Sequence, residues 1–181
     1  MVICNTMAKH EHASGEYNKR REECERGVQI LREFLPNIRA LRDVGQLELE
    51  RYKKKLPEVI YRRCRHVVTE NDRVQGAAKA LEQHDMSEFG KLMAQSHASL
   101  RDDYEVSSRE LDIMVEIAQK QRGVFGARMT GGGFGGCTIN LVEASQAESF
   151  RDNVDKEYER ATGLSPEIYV STAADGANQV Q

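Results

Sequence analysis

The 181-residue sequence lacks the features that would mark a membrane protein or a chain of several domains. No apolar run approaches the length of a membrane span, and the apolar residues that follow Met1 end before Asn5, too soon for the apolar region of a signal peptide. Only three prolines occur, and no stretch rich in proline and serine divides the chain. Because this length suffices to bury a sizeable core, we expect one compact domain.

Paired cysteines and metal-binding spacings are missing as well. The cysteines are scattered at apolar positions without any C-x-x-C pair, and they are Cys4, Cys24, Cys64 and Cys137. This pattern indicates reduced thiols and predicts a cytoplasmic protein. The five histidines form no H-E-x-x-H motif, so we expect no metal site.

The sequence also has no excess of positive charge. Lysines and arginines number 26 against 29 aspartates and glutamates, which gives a net charge of −3 and does not favour a nucleic-acid partner. A short basic run at residues 19–21 is followed by Glu22 and Glu23. We therefore interpret this run as the solvated face of a helix.

Glycine, by contrast, is unusually dense between Thr130 and Cys137. Five of the fourteen glycines fall within six residues, and they are Gly131, Gly132, Gly133, Gly135 and Gly136. Glycine permits positive φ angles and close contacts, so the cluster indicates either a phosphate-cradling loop or a glycine-rich hairpin without a ligand. A dinucleotide-binding fingerprint requires a helix after the glycines. Residues 137–142 instead alternate between apolar and polar side chains, as in a strand, which disfavours that interpretation. A Walker A loop is excluded because no Gly-Lys-Ser/Thr sequence occurs.

The first half of the chain predicts one short strand followed by helices. Residues 1–6 are typical of a buried strand, and their abrupt start suggests a chain cut inside that strand. A helix is expected over residues 14–35, one or two helical turns over residues 41–52, and a long helix from Pro57 onward. The packing stripe of this long helix is apolar except for Asn71 and is expected to pack within the chain; it consists of Ile60, Cys64, Val67, Asn71, Val74, Ala78 and Leu81.

The second half predicts two more helices, two strands flanking the glycine loop, another helix and a final strand. Capping-box sequences at residues 85–88, 107–110 and 145–148 mark the three helix starts, and the final strand occupies residues 166–171. The element order is β-α-β-β-α-β with extra helices in the first crossover. This order predicts an α+β fold with a ferredoxin-like (split βαβ) antiparallel sheet.

Several motifs together resemble the galactokinase family of the GHMP sugar-kinase superfamily. Residues 128–137, with the sequence Arg-Met-Thr-Gly-Gly-Gly-Phe-Gly-Gly-Cys, resemble the third, C-terminal motif of the superfamily, and residues 96–107 narrow the resemblance to galactokinases. Residues 4–24 and 173–177 look like the same family. The resemblance implies that residues 1–181 are the GHMP kinase C-terminal domain of such an enzyme, without its N-terminal ATP- and sugar-binding half.

The same resemblance implies an activity for the complete enzyme. ATP, with Mg²⁺, would phosphorylate the anomeric hydroxyl of galactose to give galactose 1-phosphate, and the ligands of ATP and Mg²⁺ would lie mainly in the other half. By this resemblance Tyr17 contacts galactose, the five clustered glycines lie near the nucleotide, and no residue of this chain is catalytic. Because positioning and charge stabilisation dominate phosphoryl transfer, we expect the isolated chain to be inactive.

Some alternatives remain open. From the residues alone, Tyr17 could cap a core with its ring, although the resemblance favours sugar contact. The polar residues 96–106 could form a solvated helix end, or Arg101, Asp102 and Asp103 could order an active-site wall. Arg128 could face a phosphate or form a structural ion pair. The chain could also be a non-catalytic galactose-sensing or protein-interaction module, and an exposed interdomain face could cause self-association.

Overall fold

A four-stranded antiparallel sheet organises the structure, a computed structural model that describes residues 1–8 and 13–172. The strands are β1 (Val2–Asn5), β2 (Val124–Thr130), β3 (Cys137–Val142) and β4 (Glu167–Val170). Their order across the sheet is β2-β3-β1-β4, and β1 pairs antiparallel with both β3 and β4. This order is that of the split βαβ arrangement, so the predicted fold class is confirmed. The family-like segment at residues 173–177 lies outside the described residues.

Helices occupy the long crossover from β1 to β2 and the shorter one from β3 to β4. They are α1 (Ala13–Arg32), α2 (Gln46–Tyr52), α3 (Glu58–Glu82), α4 (Met86–Asp102), α5 (Arg109–Lys120) and α6 (Ala147–Thr162). Short 3₁₀ turns cover Leu41–Asp43, Lys53–Lys55 and Ala144–Gln146. None of the described helices is both long and apolar enough to cross a membrane.

Most helix ends follow the local sequence signals. Asp85 accepts a hydrogen bond from the backbone N–H of Glu88 at 2.9 Å, as its capping box predicts. The next box begins one residue later than predicted, with Ser108 accepting from the N–H of Leu111 at 3.3 Å. Gly163, at φ 75°, ends α6 in the left-handed conformation that glycine adopts most readily.

Helices α5 and α6 cover one face of the sheet and form the main core with it. The buried residues of this core are Val2, Cys4, Met114, Val115, Ile117, Ala118, Ala127, Val142, Phe150, Val154 and Tyr158. The Tyr158 hydroxyl also donates a hydrogen bond to the carbonyl of Thr6 at 2.9 Å. Helix α6 is thereby fixed to the chain that leaves β1.

A second core lies among the helices of the first crossover. Its buried residues are Leu31, Ile38, Leu41, Val44, Leu49, Leu56, Ile60, Tyr61, Cys64 and Val68. Helix α4 lies against β2, where the N–H of Met129 donates to Nδ1 of His97 at 3.3 Å and Gly90 packs against the backbone of Phe125. The otherwise free edge of β2 is therefore covered by a helix, which protects it from pairing with another strand.

Two predictions about the helices are wrong. The stripe on α3 fails in its second half because Val74 and Leu81 are exposed, while the buried face of this helix includes Arg63 and His66, whose polar partners permit burial. The capping box at residues 145–148 does not form, because a 3₁₀ turn precedes α6 and its N-cap Gln146 makes no side-chain capping bond.

Candidate functional site

The glycine loop between β2 and β3 combines positive φ angles with two fixed contacts. The positive φ angles are 82° at Gly131, 85° at Gly133, 58° at Phe134, 113° at Gly135 and 84° at Gly136. A Cβ on Gly133 would overlap the carbonyl oxygen of Val106, and the N–H of Phe134 donates to that same oxygen at 2.7 Å. The carbonyl of Gly136 accepts from the N–H and the hydroxyl of Thr6 at 2.9 Å and 2.8 Å. The loop is therefore held at its centre and at its end.

The rest of the loop surface is open. A Cβ on Gly131, Gly132 or Gly136 would meet no atom within 4 Å. At these positions glycine is not required by packing within the described residues, although Gly131 and Gly136 have positive φ. The absence of side chains leaves the backbone accessible to a ligand or to another part of a larger protein.

Arg20 joins the glycine loop to α1, and the sequence interpretation of residues 19–21 is wrong for this residue. Its side chain is buried, with the residue only 6% exposed. Nε donates to the carbonyl of Tyr104 at 2.6 Å and Nη2 to the carbonyl of Glu105 at 2.9 Å. The guanidinium carbon also lies 5.8 Å from the ring centre of Phe134, within cation–π range. One side chain thus connects three segments that are far apart in sequence.

Tyr17 lies one helical turn before Arg20 on α1, and 60% of the residue is exposed. It lines an open cleft of about 520 Å³ together with Cys24, Val67 and Tyr104. The ring is therefore accessible to a ligand. Within the cleft, burial raises the pKa of the Tyr104 hydroxyl, so this group is a neutral hydrogen-bonding group at physiological pH.

Charged side chains hold the segment that carries Tyr104. Arg63, almost fully buried, donates to Glu23 at 2.7 Å, to the Asp103 carbonyl at 2.6 Å and to Glu105 at 2.6 Å. Burial raises the pKa of the Glu105 carboxyl, but hydrogen bonds from Arg63 and Arg62 outweigh it and the pKa is lowered overall. Glu105 is therefore ionised and fixes this segment against α3.

The polar residues 96–106 prove to be the last turns of α4 and the segment that follows it. Asp103 is buried and accepts from the side chain of Arg65 and from the Ser99 hydroxyl, the latter at 3.2 Å. Asp102 is exposed and pairs with the adjacent Arg101 at 2.8 Å. The structure thus distinguishes the two aspartates: Asp103 orders the wall behind Tyr104, and Asp102 is a solvated helix end.

His66 completes this wall. Its ring stacks on Tyr104 with 4.5 Å between the ring centres, and its Nδ1 lies 3.0 Å from the Ser99 hydroxyl. Burial, the largest cause, lowers the pKa of His66 to about 4, so the ring is neutral at pH 7. We assign it to packing behind the cleft, because its buried ring faces Tyr104 and Ser99.

Arg128, one of the open sequence alternatives, forms an ion pair. Its Nη1 lies 3.4 Å from Glu70, and its Nε donates to the carbonyl of Met129 at 3.0 Å. The residues that the structure describes contain no group of three or more histidine, cysteine, aspartate or glutamate side chains that could hold a metal ion.

Two of these features escaped the sequence analysis for identifiable reasons. Arg20 has carboxylates at Glu16 and Glu23, four residues before and three after it, which is a local signal for a fixed guanidinium. Its carbonyl partners, by contrast, lie more than 80 residues away along the chain. The position of Arg63 opposite Glu105 also depends on the tertiary fold and has no local signal.

Comparison with known proteins defines the class of this chain. Residues 77–160 match the family model "GHMP kinases C terminal". Over nearly its whole length the chain is also similar to galactokinases, as the sequence motifs predicted. The galactokinase of Roseiflexus sp. (strain RS-1) is 47% identical over 180 residues, and that of Fusobacterium nucleatum subsp. nucleatum is 44% identical over 182 residues.

The coverage of these matches is unequal. The alignments include 99% and 100% of this chain but 46% and 47% of the two relatives, so the chain spans about half of their length. The structure of Lactococcus lactis galactokinase complexed with galactose superimposes with a TM-score of 0.91 at 38% identity, covering 99% of this chain and 46% of that one. The structure of L. major mevalonate kinase in complex with R-mevalonate, at 21% identity and a TM-score of 0.50, shares the fold. The resemblance to galactokinases that the sequence motifs predicted is confirmed.

Proposed function

We propose that residues 1–181 form the C-terminal domain of a galactokinase, which transfers the terminal phosphoryl group of ATP to the anomeric hydroxyl of galactose. Similarity to galactokinases over nearly the whole chain supports this assignment, as does the fold shared with a galactokinase complexed with galactose. The observation that carries the proposal is the contact between α1 and the glycine loop through Arg20. This contact holds the helix that bears Tyr17 beside the loop.

In this proposal Tyr17 contacts the sugar. Its ring is exposed, and Arg20 fixes the helical turn that follows it. A tyrosine suits this role because it offers an apolar ring face and a hydroxyl to a polyhydroxylated ligand. The cleft around Tyr104 lies on the same side of α1 and provides further contact area.

The glycine loop lies beside the nucleotide in the same proposal. Its open positions allow the backbone to approach a phosphate, or the segment that holds the phosphate, without interference from side chains. Bound Mg²⁺ would neutralise charge on the phosphates during transfer. Its ligands, most ATP contacts and the groups that act on the sugar hydroxyl are assigned to the other half of the enzyme.

The 181-residue chain alone is then inactive. Its sequence contains no Gly-Leu-Ser-Ser-Ser phosphate loop, and phosphoryl transfer depends on positioning by such elements. The test is to assay the purified chain for ADP formation with ATP, Mg²⁺ and galactose, and then to add the separately expressed remainder of the Roseiflexus galactokinase. We expect turnover only after mixing.

Two other outcomes would redirect the assignment. Turnover by the chain alone would contradict the division of labour proposed for the two halves. A mixture that binds galactose, measured by calorimetry, but forms no ADP would favour the galactose-sensing alternative.

A further inference from the structure

A second cleft lies between α3, α4 and the face of β2 and β3 that α5 and α6 leave uncovered. It has a volume of about 360 Å³ and shares no lining residue with the Tyr17 cleft. One side of it is apolar and consists of Phe89, Leu92, Met93, Ile139 and Leu141. The proposed kinase function gives this cleft no role.

The other side of the cleft carries a surplus of positive charge. Glu70 accepts from Nε of Arg73 at 2.7 Å and from the Ser96 hydroxyl at 2.6 Å, and lies 3.4 Å from Nη1 of Arg128. Burial raises the pKa of Glu70, but hydrogen bonds from Ser96 and Arg73 outweigh it, so the pKa is lowered and the carboxylate is ionised. Two guanidinium groups thus share one carboxylate, which leaves a net charge of about +1 in this group.

Arg73 has an unused donor at this place. Its side chain is only 14% exposed, and its Nη2 atom is buried without an acceptor among the described residues. A buried donor without a partner is costly, and an anionic oxygen is a strong acceptor for a guanidinium. The cleft therefore combines an unsatisfied cationic donor with an apolar wall.

We propose that this cleft binds a small amphiphilic monoanion, specifically a carboxylate with a medium-length apolar chain. The carboxylate contacts Arg73 and Arg128, and the chain lies against Phe89, Leu92 and Ile139. Charge complementarity selects the head group, because the cleft already contains one carboxylate for two arginines. Burial of apolar surface selects the tail, because a wholly polar anion would leave the apolar wall in water.

The test is a titration of the 181-residue chain with octanoate, octan-1-ol and inorganic phosphate. Calorimetry measures affinity, and two-dimensional NMR identifies the backbone amides that shift. We expect octanoate to bind at least about tenfold more tightly than either comparison ligand, since a charge-assisted hydrogen bond is roughly twice as strong as a neutral one. The amides of Ala77, Leu92 and Leu141 should shift most, because they lie in the elements that line the cleft.

Matched variants separate the effect of these two arginines on binding from the effect of the protein's net charge. Arg73→Met and Arg128→Met should each weaken octanoate binding by roughly tenfold or more and leave octan-1-ol nearly unchanged. Arg160→Met removes the same charge from the exposed end of α6 and should have no effect. Unfolding curves for every variant identify any loss of binding that comes from misfolding. If Arg73→Met does not fold, Arg128→Met still tests the proposal, because Arg128 is the more exposed of the two arginines.

Several results would overturn the proposal. Equal affinity for octanoate and octan-1-ol would show that the arginines select no anion, and equal affinity for phosphate would show that the apolar wall is unused. Octanoate binding that survives both arginine substitutions, or shifts confined to the Tyr17 cleft, would place the ligand elsewhere. None of these results depends on kinase activity, so failure here is distinguishable from failure of the proposed function.

Discussion

Two residues on α1, Tyr17 and Arg20, have different roles in the candidate site. Tyr17 presents an exposed ring to the cleft, whereas Arg20, one turn later, is buried and bonded to carbonyls of the segment after α4. The buried arginine has most of its donors occupied, so the turn of helix between the two residues has little freedom to move. A ligand contact made by Tyr17 would therefore be made from a fixed backbone.

Replacement of Tyr17 tests its proposed contact with galactose. In a chimera in which this chain replaces the matching 46% of the Roseiflexus galactokinase, Tyr17→Ala should lower kcat/KM for galactose. Loss of one such contact costs about 1–3 kcal/mol, or roughly fivefold to 150-fold in kcat/KM, while KM for ATP should stay unchanged. Tyr169→Ala, at another exposed tyrosine, is the control. An unaltered galactose response would reduce Tyr17 to a surface residue.

The glycine loop allows backbone strain to be separated from packing. Gly132 has neither positive φ nor a close neighbour, Gly131 has positive φ in open space, and Gly133 has positive φ and lies against Val106. Valine at position 132 should be nearly neutral, and at position 131 it should cost about 1–2 kcal/mol. At position 133 the overlap adds to this cost, and ATP use by the chimera should fall. Urea unfolding of the three variants measures the order of their stabilities, and equal stabilities would contradict the expected order.

Residue-scale features were predictable where the signal was local. The positive φ of Gly133 follows from the glycine cluster itself, and the cap at Asp85 follows from its capping box. The burial of Arg20 did not follow, because its partners Tyr104 and Glu105 reach it only through the tertiary fold. The same physical limit applies to Arg63.

At the scale of elements, α3 and α4 form a polar interface behind the Tyr104 cleft. His66 on α3 meets Ser99 on α4, and Asp103 accepts from the same serine. The sequence predicted an apolar stripe on α3, and this interface adds to the buried face of the helix a polar residue, His66, that the stripe did not include. Hydrogen-bonded polar residues can occupy a buried helix face that a periodicity argument reserves for apolar ones.

The α3–α4 interface should make stability depend on pH. The pKa of His66 is about 4 in the folded chain and 6.5 for an ordinary histidine, so the unfolded chain binds more protons between these values. The contribution of His66 is therefore complete above pH 6.5 and is lost as the pH falls toward 4. Between pH 7.5 and pH 5 we expect a loss of about 2 kcal/mol in the free energy of unfolding.

Urea unfolding at the two pH values measures this loss, and substitution identifies its source. Glu70, Arg73, Asp103 and Arg128 also act on His66 electrostatically, so the comparison must keep them in place. His66→Gln should reduce the pH dependence, whereas His84→Gln, at an exposed histidine, should not. A pH dependence that is identical in wild type and His66→Gln would contradict the assignment.

At the scale of the whole molecule, the two edges of the sheet differ. The edge at β2 is covered by α4, whereas β4 pairs with β1 on one side and the described residues provide no partner on the other. Tyr169 on β4 is 54% exposed, and Val170 is exposed beside it. An uncovered strand with apolar residues is a template for pairing with another chain.

We therefore expect the isolated chain to self-associate through β4. Light scattering should show a mass that rises with concentration, and Tyr169→Lys combined with Val170→Lys should return the chain to a monomer, because charge on an edge strand opposes pairing. Leu47→Lys, at an exposed leucine of α2, is the control. A monomer at all concentrations would contradict the expectation, and an equal effect of the control would locate the contact elsewhere.

The topology of the whole molecule was predictable because element order constrains a split βαβ sheet to few arrangements. The two clefts were not predictable, since each is bounded by residues from at least three separated segments. The function was predicted from the family-like motifs. Because the chain covers 46–47% of the length of these relatives, the activity of the whole enzyme is a proposal.

The most direct test of the proposed galactokinase function is the activity of the chimera in which this chain replaces the matching part of the Roseiflexus galactokinase. Galactose 1-phosphate is quantified by ³¹P NMR after incubation with ATP, Mg²⁺ and galactose, with the 181-residue chain alone assayed in parallel. If this chain supplies a working galactokinase C-terminal domain, the folded chimera forms galactose 1-phosphate and the chain alone does not. A chimera that folds, binds ATP and forms no product would contradict the account.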